Sequence, residues 1–114
     1  MNSKALGYLG EDLAREYLEE NGYTVLYSNK KIAGVEIDLV CKIGDLLVFC
    51  EVKYREDQNF GTGIEGIKNA QIRRYLRAGE LFMSDKKNQN KSLRFDVIEI
   101  NHGKINHIID AFRG

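Results

Sequence analysis

Apolar residues along this chain alternate between helical and strand-like spacing, and that rhythm outlines the elements before any motif is considered. Leu6, Leu9, Leu13, Tyr17 and Leu18 recur at helical intervals. With Ser3 to cap the start and Gly22 to stop it, they predict a helix over residues 4–21. Thr24–Asn29 is β-branched and aromatic and reads as a first strand. Two more strands, Val35–Lys42 and Leu46–Tyr54, are joined by Gly44-Asp45, which suits a two-residue hairpin turn with glycine in the first central position. Residues 55–61 read as a polar loop. Thr62 and Glu65 have capping-box spacing and open a second helix expected to reach Ser84. A polar stretch, Asp85–Lys91, precedes strands at Leu93–Ile100 and Ile105–Ile109, with a turn at His102-Gly103. The predicted fold class is α/β: helix, three strands, helix, two strands, as a mixed sheet flanked by helices.

Side chains alternate faces along a strand, so each hairpin strand can be sorted into two rows. Val35, Ile37, Leu39 and Cys41 form an apolar row with Leu46, Val48, Cys50, Val52 and Tyr54. The other rows are Glu36, Asp38 and Val40, and Leu47, Phe49, Glu51 and Lys53. If Gly44 and Asp45 are the loop pair, counting back sets Asp38 opposite Glu51 and Glu36 opposite Lys53. Like charges facing each other repel, with Cβ atoms only about 4.5–5.5 Å apart. Two converging carboxylates are what a hard divalent cation such as Mg²⁺ or Mn²⁺ requires, and the Val52 carbonyl can add a third oxygen. Lys53 on the same face can orient a water or neutralise phosphate charge. The bland alternative is an acidic hairpin with a Glu36–Lys53 surface pair.

Both helices carry polar residues at the margin of their apolar stripes. On the second, Ile64, Ile67, Ala78 and Phe82 share a face with Gln71 and Tyr75. A glutamine within that stripe needs a hydrogen-bonding partner. On the first, Glu11 borders the stripe beside Ala14 and Leu18, with Gly7 and Gly10 close by. Each glycine costs helix stability, about 1 kcal/mol relative to alanine, which makes sense where a helix approaches a sheet or ligand closely. Glu11 can thereby join the acidic pair.

Composition narrows the class. The chain of 114 residues is 43% hydrophobic and 30% charged, the profile of one globular domain spanning residues 1–114. No stretch approaches the roughly 18 apolar residues of a membrane span, and the first residues lack a secretion-signal pattern. Cys41 and Cys50 read as core thiols, so a cytoplasmic location is expected. Formal charge balances, with 17 basic and 17 acidic residues, which excludes a simple polycation. Residues 68–94 nevertheless carry Lys68, Arg73, Arg74, Arg77, Lys86, Lys87, Lys91 and Arg94 against only Glu80 and Asp85. One side of the domain is therefore expected to be positive. His102 and His107 are expected at the surface, and Arg94 and Asp96 as an ion pair on one face of their strand.

The ordered runs Gly7-x-x-Gly10-Glu11-x-x-Ala14-x-x-Tyr17-Leu18, Gly22-Tyr23, Glu36-Ile37-Asp38-Leu39, Val48-Phe49-Cys50-Glu51-Val52-Lys53-x-Arg55 and Arg94-Phe95-Asp96-Val97-Ile98 resemble the YraN family. These small bacterial proteins are similar to the restriction-endonuclease-like nucleases with a D-x(n)-(D/E)-x-K motif. The resemblance implies an αβββαβ core, metal ligation by Asp38 and Glu51, a catalytic Lys53 and assistance from Glu11. Two departures stand out. Val35 replaces a usual glycine, with Gly34 one place earlier, which predicts a bulge where that strand begins. Gln71 replaces a more usual lysine, and Gln71-x-x-x-Tyr75 looks like the motif that helps hold the site together in RecB-type nucleases.

The expected activity is Mg²⁺-dependent phosphodiester hydrolysis. Arg55, Lys68, Arg73, Arg74, Tyr75 and Arg77 are expected along the path of nucleic acid, contacting backbone rather than reading bases. DNA, in branched or flap form during repair or recombination, is the substrate that fold analogy favours. Nucleases of this size often pair to address two strands, so a homodimer stays open. The competing class is a non-catalytic module that holds nucleic acid or a repair partner on a nuclease-like fold.

Overall fold

Two tight turns organise the sheet. The structure, a computed structural model, describes the backbone of residues 3–55 and 68–114 and the side chains of residues 10–54 and 68–114. Its elements are α1 (Ser3–Glu20), β1 (Thr24–Ile32), β2 (Val35–Ile43), β3 (Leu46–Arg55), α2 (Asn69–Ser84), β4 (Ser92–Asn101) and β5 (Lys104–Ile108). A single 3₁₀ turn at Lys86–Asn88 interrupts the polar stretch after α2. Gly44 takes φ +58° while Asp45 does not turn positive, the requirement of the glycine-first hairpin read from the sequence. Ala33 and Gly34 have φ of +54° and +75°, which fits the other two-residue hairpin turn, with both central residues left-handed.

That second turn corrects two expectations. β1 continues to Ile32 instead of ending at Asn29, because pairing with β2 overrides the weak strand propensity of Asn-Lys-Lys. The bulge expected at the start of β2 is absent there: Ile32 pairs directly with Val35. The register shifts instead between Val25 and Tyr27, leaving Leu26 as the extra residue on β1. The capping pair Thr62 and Glu65 lies outside the described residues, with Ile64 and Ile67.

The five strands lie in the order β1-β2-β3-β4-β5. All neighbours are antiparallel except β3 and β4, whose parallel pairing requires the long connection that carries α2. The helices cover opposite faces. Ala14 and Leu18 of α1 pack on Leu39, Cys41, Val48, Cys50, Ile98 and Ile100. Tyr75 and Ala78 of α2 pack on Val40, Phe49, Phe95, Val97 and Phe112. Gly79 brings α2 so near the sheet that a Cβ there would sit 2.8 Å from the Leu93 and Phe95 side chains. Gly10 plays the milder counterpart on α1, with Tyr54 3.2 Å from where its Cβ would be.

One irregularity positions the site. The β2–β3 ladder follows the expected register from Ile43/Leu46 to Leu39/Cys50 and stops. The β1–β2 hairpin continues past that point to its own turn. Ile37, assigned by alternation to the α1 face, packs into the α2-side cluster in this freed part of the hairpin. Asp38 and Glu51 are the first residues beyond the last β2–β3 pair, at the fork where the strands part.

Candidate metal centre

A fork between strands leaves backbone groups without ladder partners, and here a side chain takes up one of them. Asp38 Oδ2 accepts a hydrogen bond from the Val52 N–H at 2.9 Å. An extended residue directs its N–H and C=O to the same edge, so the Val52 carbonyl also faces the β2 side. Glu51 projects to the α2 face, where the Tyr75 hydroxyl donates to Oε2. Lys53 Nζ lies 3.3 Å from Glu51 Oε1. The Tyr75 oxygen also receives the Asp38 N–H at 3.5 Å, so one phenol touches both strands of the fork.

Burial makes this arrangement electrostatically expensive. Glu51 is only 7% exposed. Desolvation, followed by the charge of Glu51, pushes the Asp38 carboxyl from its usual 3.8 up to about 7. The Val52 N–H and the Lys53 ammonium pull it down without restoring it. The Tyr75 phenol is raised above its usual range, first by burial and then by the charges of Glu51 and Asp38. The surroundings of Asp38 therefore disfavour its charged form while a second carboxylate stands beside it.

The other expected residues fall into four groups. Glu11 stands apart from the acidic pair yet within its field. Its carboxyl is raised mainly by burial, with Glu36 and Glu51 adding repulsion against a hydrogen bond from the Asn29 amide at 3.0 Å. Gln71, Arg74 and Lys68 line a cleft of about 530 Å³ together with Gly34, Val35, Glu36, Ala70 and Tyr75. Arg73 and Arg77 are exposed and border a neighbouring depression with Arg74. The Arg55 side chain lies outside the described residues.

Four expectations are corrected. Tyr75 does not lie along an exposed path for nucleic acid: it is 1% exposed, its ring against Phe112 and its hydroxyl on Glu51. Glu36 pairs in the ladder with Lys31, and Lys53 turns to Glu51, because the fork separates Glu36 from β3. His107 is no surface residue. Its side chain is 6% exposed, bonding Asp96 Oδ2 at 2.7 Å through Nε2 and the Tyr17 hydroxyl at 2.9 Å through Nδ1. Arg94 contributes nothing to a basic face around α2, since it lies on the α1 side and grips Asp96 with two hydrogen bonds.

Sequence reading missed two residues near the site. Asn29 carries φ +52° in the middle of β1, between the pairs Ser28/Leu39 and Lys30/Ile37, which sets it across from Asp38. Glu99 is fully buried, abreast of Lys53 in the parallel ladder and accepting the Asn106 amide at 3.1 Å. Tolerance of asparagine for left-handed backbone was the only available cue to the first. Parallel pairing of distant strands, invisible in local spacing, places the second.

The donor set fits a hard cation that takes few protein ligands. Among the described residues no group of three or more His, Cys, Asp and Glu side chains is arranged to hold an ion. Mg²⁺ ordinarily binds through one or two carboxylates and keeps several waters, which matches Asp38 and Glu51 with the Val52 carbonyl nearby. Cys41 and Cys50 are free, buried thiols on the opposite face, away from this donor set.

Residues 10–100 match the profile of a family described as "Uncharacterised protein family UPF0102". A UPF0102 protein of Dictyoglomus thermophilum is 37% identical over 110 residues, covering 96% of this chain and 93% of that one. One from Clostridium beijerinckii is 39% identical, covering 97% and 95%. A looser structural likeness is to "The structure of Pyrococcus Furiosus SfsA in complex with Ca2+", with TM-score 0.41 and 10% identity. It spans 93% of this chain and 62% of that one, and is too distant to bear on chemistry.

Proposed function

The chain belongs to the UPF0102 family, and from the geometry of its site we propose a divalent-metal-dependent nuclease that hydrolyses phosphodiester bonds. The observation carrying this reading is the pairing of half-buried Asp38 with buried Glu51 at the strand fork, with the Asp38 carboxyl raised to about 7 and Lys53 alongside. A divalent cation would favour the charged form of Asp38 beside Glu51, and these are the two carboxylates that would hold it. When bound there, Mg²⁺ or Mn²⁺ supplies Lewis-acid polarisation of a phosphate and acidifies water.

Each residue then has a role. Asp38 and Glu51 would hold the ion, and the Val52 carbonyl would offer a third oxygen. Tyr75 fixes Glu51 through its hydroxyl. Lys53 places its ammonium where negative charge develops on the phosphate and helps orient the attacking water. Glu11 adds a carboxylate at the edge of the site, and Gln71 lines the adjoining cleft. Lys68, Arg73, Arg74 and Arg77 carry the positive charge that tracks a phosphate backbone. DNA with branches or flaps, met in the cytoplasm during repair, is the substrate this reading favours.

The test is cleavage of labelled linear, flap and four-way DNA with Mg²⁺ or Mn²⁺. Cleavage that disappears in Asp38→Asn and Lys53→Ala supports the assignment. Activity equal to the parent in both variants overturns it. Binding that survives EDTA, with no substrate ever cut, converts the protein into a non-catalytic nucleic-acid module.

A further inference from the structure

β1 breaks its own geometry at one residue. Asn29 takes φ +52° although Ser28 and Lys30, on either side, remain paired with β2. Left-handed backbone within a strand forfeits extended geometry, and it persists only where the surroundings require it. The fold offers no turn or chain reversal at this point. What the conformation accompanies is a contact: the Asn29 Nδ2 donates to Glu11 Oε2 at 3.0 Å, linking β1 to α1. Asn29 also lies across from Asp38 in the β1–β2 register.

We propose that Asn29 is a positioning residue, whose strained backbone aims its amide at Glu11 so that this carboxylate faces the ion held by Asp38 and Glu51. The inference rests on the metal-site reading above and adds a residue to it. A carboxylate is planar, so fixing one oxygen orients the other. Outer partners of this kind commonly govern metal affinity without touching the ion. Repulsion from Glu36 and Glu51 would otherwise drive the Glu11 side chain outward. An amide donor opposes that movement without adding a competing charge.

The experiment is Mn²⁺ affinity, measured by titration calorimetry on the full chain, in a double-mutant cycle. Asn29→Gly keeps the left-handed backbone without strain and removes only the amide. It is expected to weaken Mn²⁺ binding about tenfold with an unchanged melting temperature. In a Glu11→Gln background the same substitution is expected to have no further effect. Asn29→Asp, which retains backbone preference and size while facing Glu11 with a second negative charge, should weaken binding more than glycine does. Unaltered affinity in both variants overturns the role of Asn29 and leaves the metal site standing. So does an equal loss with and without Glu11. Absence of Mn²⁺ binding by the parent protein overturns the metal reading itself.

Discussion

Each face of the sheet holds an aspartate, Asp96 buried and Asp38 half-buried, and the contrast between them separates structure from chemistry. Asp96 has no exposed surface and sits under α1. It accepts two hydrogen bonds from Arg94, one from the Asp110 N–H at 2.9 Å and a contact from His107 at 2.7 Å. Burial alone would raise its pKa, yet those partners outweigh it and hold the carboxyl below its usual value. Asp38, under α2, has one backbone donor and another carboxylate for a neighbour, and stands near 7. Desolvation is common to both sites. The balance of charge is not, and of the two only Asp38 lacks a paired cation of its own among the described residues. A buried carboxylate surrounded by donors ties elements together; one left wanting a cation is a candidate for function.

Removing Asp96 should produce the largest change. Asp96→Ala strands the Arg94 guanidinium and His107, a loss of about 3–5 kcal/mol in urea denaturation. The same substitution at Asp38 should not approach that value. Mg²⁺ should then act on one face alone. At 100 times its Kd it is expected to stabilise the parent by about 2.7 kcal/mol and to do nothing for Asp38→Asn. Tyr75→Phe removes the hydroxyl from Glu51 and should cost about 1.5–3 kcal/mol, the range for hydrogen bonds to charged groups. A loss smaller than 0.5 kcal/mol, roughly the floor for any intramolecular hydrogen bond, would mean that Tyr75 acts by packing alone.

Asp38→Asn should change stability in the opposite direction to Asp96→Ala. At pH 8, without metal, relief of repulsion is expected to add about 1–2 kcal/mol, the scale on which active-site strain trades against stability. The pH dependences also oppose one another. Asp38 has a raised folded pKa, so its contribution is complete below 3.8 and is lost as pH climbs through about 7. Asp96 has a lowered folded pKa, so its contribution is present above the usual carboxylate range and lost as pH falls through its depressed value. Denaturation curves across pH should show the neutral slope vanish in Asp38→Asn while the acid slope remains. If the neutral slope survives, the burden on that face belongs to another group.

Much of this architecture was legible locally. Helical spacing from Leu13 to Leu18, the Gly44-Asp45 turn and the alternation in β2 and β3 each depend on neighbours a few residues away. The hairpin register followed, and with it the approach of Asp38 to Glu51. Gly10 was readable as a site of close approach because a helix keeps an unfavourable residue where it needs room. Assignments that depended on distant segments fared worse. His107 is isolated in sequence and looked superficial, whereas β5 carries it beside Asp96 and Tyr17. Tyr75 neighbours the exposed Arg73 and Arg74 in sequence, but its place in the apolar stripe of α2 turns it inward.

No helix among the described residues is long and apolar enough to cross a membrane, so the apolar stretches are spent on the two faces of the sheet. By itself the sequence determined the sides of β3 and of the part of β2 paired with it, and that two acids would meet across a turn, because backbone alternation and turn geometry are short-range. Only the tertiary structure decided that the meeting point would be a fork, that Tyr75 would close over it and that Asn29 would reach Glu11. Those outcomes depend on where β2 leaves β3 and how closely α1 and α2 approach. They are settled by packing between segments far apart in the chain, which no local pattern encodes.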